Sequence, residues 1–396
     1  MQLSGLLDLL SGAPAYRALL TALRQPMSTA PAADDGHFPA LEVLRAARPY
    51  VLATLTRDWP GPVIYVTARI DRAYNVSEQL PVWLGANADI HRFAEPAPLF
   101  YERAPWGESA QRNRLETLAA LMPPGDLQTE HEQPLVVTSA RALMQRTLPV
   151  KTFRDGSVTL KPGARWTLDK LLSRFLEIGY EAASLVVEPG TFTRRGGILD
   201  IFPVADSEPT RIEFFDDEIE RLRRFDPATQ RSTGPAEILA ITPAREALPD
   251  GAPALAEQLA DWFAAAPAPD ADPLSPQPDA QALTTGAAFP FIEHYLPYLY
   301  PNPISLLDYA PDNALIVIED WDELEATVNE IAAHAAEIRA EKVERQQIAP
   351  DHPQPYLDWA QLTVTLAGRA VVTLGGWGAA ASPLPNGTAN GTEALG

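Results

Sequence analysis

The residues best equipped for chemistry are six arginines, Arg194, Arg195, Arg211, Arg221, Arg223 and Arg224, gathered in the stretch Leu185 to Arg231. A guanidinium is a rigid fork of donors that matches a carboxylate, so the chemistry offered is charged recognition. Asp216, Asp217, Glu218 and Glu220 stand among them. Two readings follow: local surface ion pairs of little energy, or a mixed-charge face whose forks meet a partner's carboxylates. The elements that must position these side chains are short strands. A Pro189-Gly190 turn leads into Thr191–Arg195, and Gly196-Gly197 turns the chain. Ile198, Ile201 and Phe202 form an apolar run stopped by Pro203, and Arg211–Phe215 ends at an acidic turn, Asp216-Asp217. Gly-Gly between β-rich runs signals a hairpin, and proline ends a ladder. The pattern predicts a meander with arginines at a hairpin tip.

Other chemistries lack their residues. Cysteine is absent, which excludes disulfides, thiolate metal sites and cysteine nucleophiles. No G-x-x-x-x-G-K-[ST] occurs, and the loop before Val63 reads Asp58-Trp59-Pro60-Gly61-Pro62, whose prolines remove amide donors. The six histidines, His37, His91, His131, His294, His334 and His352, show no ligand-like spacing and read as ordinary surface or core residues. Asp216-Asp217, Glu218 with Glu220, and Asp320 with Asp322 read as solvated faces or caps. No catalytic residue, metal site or cofactor is expected. Lys+Arg 31 against Asp+Glu 52 gives −21, a charge that repels phosphate backbones and argues against autonomous DNA binding. There is no basic n-region and no apolar run long enough to span a bilayer, so the cytoplasm is the expected location.

Around the arginine stretch the chain alternates strand and helix. Val63–Thr67 and Leu135–Thr138 are compact apolar runs of the kind found in buried parallel strands. Ile70–Leu84 reads as a helix broken near Pro81, Gln111–Met122 as an amphipathic helix, and Ser139 as the cap of a helix to Gln145. Residues 1–147 therefore read as an α/β domain with a parallel sheet, completed by about 351–378. From Pro149 the texture turns to β, with a strand at Ser157–Lys161 and a helix capped by Thr167 and ended by Gly179. Residues 148–234 form an α+β domain. Residues 235–350 read as a further sub-domain, with a strand at Ile238–Arg245, a Pro/Ala-rich linker at 266–281, a strand at Leu315–Glu319 and a long helix at Trp321–Gln347. Leu362–Leu366 and Ala370–Leu374 read as strands, and 379–396 as a disordered tail.

The phrases RGGILDIFP from Arg195, RIEFFDDEIE from Arg211 and FD..TQR from Phe225 resemble the second domain shared by transcription-repair coupling factors (Mfd) and the excision-repair protein UvrB. The phrase Ile241-Thr242-Pro243-Ala244-Arg245-Glu246 and the segment Phe291–Asp320 are similar to the coupling factors in particular. The resemblance implies a degenerate P-loop helicase-like parallel-sheet domain lacking Walker A, with an inserted α+β UvrB-type interaction domain. It also implies a protein partner, the damage-recognition ATPase UvrA. Carried over residue by residue, the contacts fall on Arg195, Arg211 and Glu213, with Arg194 and Phe192 beside them. Two arginines of the family pattern fall on Thr193 and Ala182 and are absent. The family's RNA-polymerase-binding and translocase parts lie outside this stretch, so the expectation is an adaptor that does not hydrolyse ATP. RNA polymerase and duplex DNA would enter only through a larger assembly. The alternatives are an ATP-dependent helicase with degenerate nucleotide binding and a DNA-contacting structural module.

Overall fold

The computed structural model describes residues 3–24, 38–123, 133–248, 252–265, 279, 282–284, 289–302 and 304–375. The tail 379–396 and all of the linker 266–281 except 279 lie outside them. Strands β1 (Val63–Thr67), β2 (Ile90–Phe93), β3 (Leu135–Ser139), β12 (Leu315–Ile318) and β13 (Ala370–Thr373) form one parallel sheet in the order β13-β12-β1-β3-β2. The central strands are buried throughout because alternate residues serve two cores. Ile64, Val66, Val136 and Ile316 face one core; Val63, Tyr65, Val137 and Val317 face the other. Helices α1 (Arg48–Asp58) and α2 (Ile70–Leu84) bury Leu52, Leu55, Val76 and Leu80 on the second face. Helices α3 (Glu108–Leu121) and α5 (Trp321–Glu344) place Leu115, Leu118, Leu324 and Val328 on the first. The result is a doubly wound α/β unit.

The second sheet is inserted between β3 and β12. It runs β10-β9-β8-β7-β6-β5, with β5 (Glu181–Ala182), β6 (Thr191–Arg195), β7 (Ile198–Ile201), β8 (Thr210–Phe215), β9 (Glu218–Phe225) and β10 (Ser232–Ala236). Its apolar face carries Phe192, Leu199, Ile212 and Leu222, and helix α4 (Leu168–Glu177) brings Leu171 and Phe175 to the same core. A separate antiparallel pair joins β4 (Val158–Leu160) to β11 (Leu239–Ile241). The expected α/β class with a parallel sheet and an added α+β domain is observed.

Several local expectations are corrected. Leu362–Leu366 is not a strand but part of helix α6 (Trp359–Leu366). Asp358 accepts from the Gln361 amide at 2.9 Å and Gln361 accepts from the Asp358 amide at 3.0 Å, a reciprocal cap that overrides the β-branched alternation. Helix α2 is not broken at Pro81. That proline sits in the last turn, and the helix ends at Gly85, with φ 102°. Ser139 and Thr167 occupy N-cap positions without side-chain cap bonds; the Ser139 hydroxyl donates to Glu95 instead. The strand expected over Ile238–Arg245 is confined to Leu239–Ile241. The stretch 235–350 does not stand apart from the first sheet, because β12 from within it lies between β1 and β13 with all four residues buried. The Asp58–Pro62 loop precedes β1, whereas the strand-to-helix junction that follows β1 is only Ala68-Arg69.

The carboxyl ends of the parallel strands, where open α/β sheets place ligands, are filled by ion pairs. Glu319, directly after β12, is buried and lies 2.9 Å from Arg48 and 3.3 Å from Arg72. Arg72 also meets Glu323 at 2.5 Å. Glu95, after β2, receives Arg141 at 2.8 Å along with the Ser139 hydroxyl.

Candidate protein-docking site

Register decides which side chains share a face. Across the meander Arg195 pairs with Ile198, Ile198 with Glu213, and Glu213 with Arg221. One step along, Thr193 pairs with Asp200, Asp200 with Arg211, and Arg211 with Arg223. Directly opposed residues point to the same side of an antiparallel sheet, and residues two apart on a strand do as well. Arg195, Asp200, Arg211, Glu213, Arg221 and Arg223 therefore form one charged face, opposite the core face of Phe192, Leu199 and Ile212.

Three expected site residues meet on this face: Arg195, Arg211 and Glu213. Their local partners differ. The fork of Arg211 is held by Asp200, with Nε to Oδ1 at 2.7 Å and Nη2 to Oδ2 at 2.9 Å, and Asp200 is 1% exposed. That bidentate bond raises the guanidinium's pKa and fixes the cation in place. The Arg211 guanidinium also lies 5.0 Å from the Phe225 ring, over a small apolar cluster of Val186, Phe202 and Phe225. Glu213 sits 3.4 Å from Arg223. Arg195 is exposed at the hairpin tip, and no hydrogen bond or ion pair engages its side chain among the described residues.

The other two expected residues belong elsewhere. Arg194 is exposed on the core side of the sheet and turns to Asp169 at the start of α4, 3.3 Å away. Phe192 is not a surface contact: it is 4% exposed and packs edge-on against Phe175 at 5.5 Å. The two-residue period of the strand puts it with the core, one place out of phase with Thr193 and Arg195. Of the two positions where the family pattern has arginine, Thr193 is buried and Ala182 is exposed on β5.

One side chain at this site escaped the sequence reading. Phe215, at the end of β8, is 76% exposed, the most exposed large hydrophobic residue described. The signal was present in the alternation of Arg211, Glu213 and Phe215, which places all three on one face. Both hairpin tips are tight. Gly196 has φ 65° and Asp216 φ 58°, as two-residue hairpin turns require. A bond from the Phe214 amide to the Gly197 carbonyl, at 3.0 Å, ties the two tips side by side. The arrangement can hold an unpaired guanidinium, a carboxylate and an exposed aromatic ring on a rigid frame.

Fold and site together define an α/β protein whose doubly wound sheet carries an inserted interaction domain with an open charged face. Comparison with known proteins names that insertion: residues 158–246 match the UvrB interaction domain. Over most of its length the chain is similar to transcription-repair-coupling factors. It is 27% identical over 315 residues to the factor of Bacillus subtilis, covering 77% of this chain and 26% of that protein. It is 29% identical over 320 residues to that of Myxococcus xanthus, covering 75% and 26%. With that of Mycobacterium bovis the identity is 32% over 284 residues, covering 70% and 22%. The chain thus spans about a quarter of the length of these curated relatives.

Proposed function

We propose that this chain is a non-enzymatic recruitment module of transcription-coupled excision repair that docks UvrA on the charged face of its inserted sheet. The observation that carries the reading is Arg195: an exposed, unpaired guanidinium on a rigid hairpin, on the same face as Glu213 and Phe215. Interface energy concentrates in arginine and aromatic anchors of this kind. Arg211 serves as a preoriented cation, its fork already fixed by Asp200. An adaptor role without nucleotide chemistry is supported by the ion pairs of Glu319 and Glu95 at the strand ends and by the short Ala68-Arg69 junction after β1. A phosphate cradle needs a run of free backbone amides there.

The test is affinity for purified UvrA, measured by calorimetry for the wild type, Arg195→Ala and Phe215→Ala. Both side chains are exposed, so the folded state should be unaffected, and each substitution should weaken binding by about ten-fold or more, roughly 1.4 kcal/mol. Equal affinity for all three proteins would sink the assignment. Saturable binding of labelled ATP at millimolar concentration would favour the nucleotide-using alternative.

A further inference from the structure

We infer that the connection leading into the inserted domain carries a buried site for a small inorganic anion, built on Arg146 with Arg339 and Tyr101 beside it. Arg146 lies between β3 and the first residues of the insertion. Its amide donates to the Pro355 carbonyl at 3.3 Å, and the Thr147 amide donates to that of Ile304 at 2.9 Å, so the backbone is fixed there. The side chain is 7% exposed, yet its Nε and Nη1 are enclosed and meet no acceptor. Three arginines are buried among the described residues. Arg48 lies 2.9 Å from Glu319 and Arg114 2.5 Å from Glu246. Arg146 alone of the three has no carboxylate. Burial lowers its pKa, and the group that offsets this is the Tyr101 hydroxyl.

The surroundings add positive charge instead of cancelling it. Burial and the Tyr356 hydroxyl push the Tyr101 hydroxyl up, while Arg339 and Arg146 both pull it down, so the two guanidinium groups act on one point. Arg339, half-buried near the end of α5, gives one Nη2 bond to the Pro350 carbonyl. His352, edge-on to Tyr101 with ring centres 5.7 Å apart, is kept neutral by burial, by His294 and by Arg339. The neighbouring carboxylates act elsewhere, Asp351 on Tyr298 and Asp358 on Tyr356. Tyr101 itself is buried with φ 68°, a left-handed conformation that is costly for a bulky residue and is found at ligand clamps. Water can complete the hydrogen bonds of Arg146 but leaves its charge uncompensated, and buried charges are paired. An anion supplies both. The rings of Phe100, Tyr101 and Tyr356 stand with centres 4.7 and 6.3 Å apart, which limits the occupant to a small ion such as chloride or phosphate. Bound there, the anion joins the root of the inserted domain to α5.

Thermal melts of the full chain test the site, with sodium phosphate or sodium chloride added in separate series and ionic strength held by gluconate, an anion too bulky to enter. The wild type should gain about 2–4 °C in Tm as at least one of the two ions saturates the site, and the series that responds identifies the occupant. Arg146→Met keeps the bulk of the side chain without its charge and should lose that saturable gain. General salt stabilisation acts on both proteins alike, so the difference between them is the readout. Arg339→Gln, at a half-buried position, should raise the half-saturating concentration by about three-fold, and it carries the test if Arg146→Met does not fold. A wild-type Tm indifferent to both ions, or the same saturable gain with the same midpoint in the variants, would overturn the inference. No step of the test involves UvrA, so it stands apart from the docking face at Arg195.

Discussion

Arg114 on α3 and Glu246, just beyond β11, make a fully buried pair between the parallel-sheet unit and the end of the inserted domain. Arg114 Nε meets Glu246 Oε1 at 2.5 Å, Nη2 meets Oε2 at 2.9 Å, and Nη1 donates to the Ala94 carbonyl at 3.2 Å. The guanidinium carbon lies 3.9 Å from the Phe93 ring centre and 5.0 Å from that of Trp106. Removing either partner strands a charge where neither side chain is more than 1% exposed. Glu246→Ala leaves the cation with only the Ala94 carbonyl, at a cost of about 3–5 kcal/mol. Arg114→Met leaves the carboxylate unpaired and also gives up the stacking on Phe93, so its cost should be at least as large. Against a typical domain stability of about 5–15 kcal/mol, either loss is severe. The double variant Arg114→Met with Glu246→Leu replaces both charges by apolar groups of similar length. It should recover most of the loss, because desolvating the two ions is no longer required. Urea denaturation followed by tryptophan fluorescence measures all three, with Trp106 beside the pair. If the two single costs simply add in the double variant, the coupling argument is refuted.

Two further predictions follow from buried or capped groups. Burial pushes the Glu293 carboxyl up to about 7, against the opposing pull of Arg245 at 3.5 Å. The folded protein therefore holds this proton above the ordinary value of 4.5. The associated stability is full below that value and is lost as pH rises through 7, on the order of 3 kcal/mol. Thermal melts between mildly acidic and mildly alkaline pH should show that slope flattened in Glu293→Gln, and an identical slope in the variant would refute the assignment. Asp358→Ala should cost about 1 kcal/mol by removing the cap of α6, and a urea midpoint equal to wild type would show that packing alone holds the helix.

How much of this was legible in the sequence depended on whether the deciding contact was local. The runs of β1, β3 and β12 were readable because strands buried on both faces are apolar along most of their length, with polar residues only at the ends of β1 (Thr67) and β3 (Thr138, Ser139). Edge strand β2, Ile-His-Arg-Phe, gave no such signal, because three of its four residues are only partly buried. The hairpin turns at Gly196-Gly197 and Asp216-Asp217 announced themselves by residue type. The membership of β12 in the first sheet did not, since pairing between distant segments leaves no mark on either one alone. The same limit governed the site. Alternation along β6 separates Arg195 from Phe192, and reading it strictly would have placed Phe192 in the core. Nothing short of the β7–β8 register could reveal that Asp200 already holds the fork of Arg211.

That difference between the two arginines bears on what each can contribute. Arg211 has its desolvation and ordering largely settled within the fold, since Asp200 accepts two of its donors and is itself buried. A partner meeting Arg211 gains a fixed positive end but loses less rotamer entropy on contact. Arg195 is the reverse: free, exposed and costly to order, yet with its whole fork available. The face therefore pairs a preorganised cation with an adaptable one. Specificity in angle should come from the first, and the larger change on truncation from the second, because only Arg195 has no internal carboxylate to fall back on.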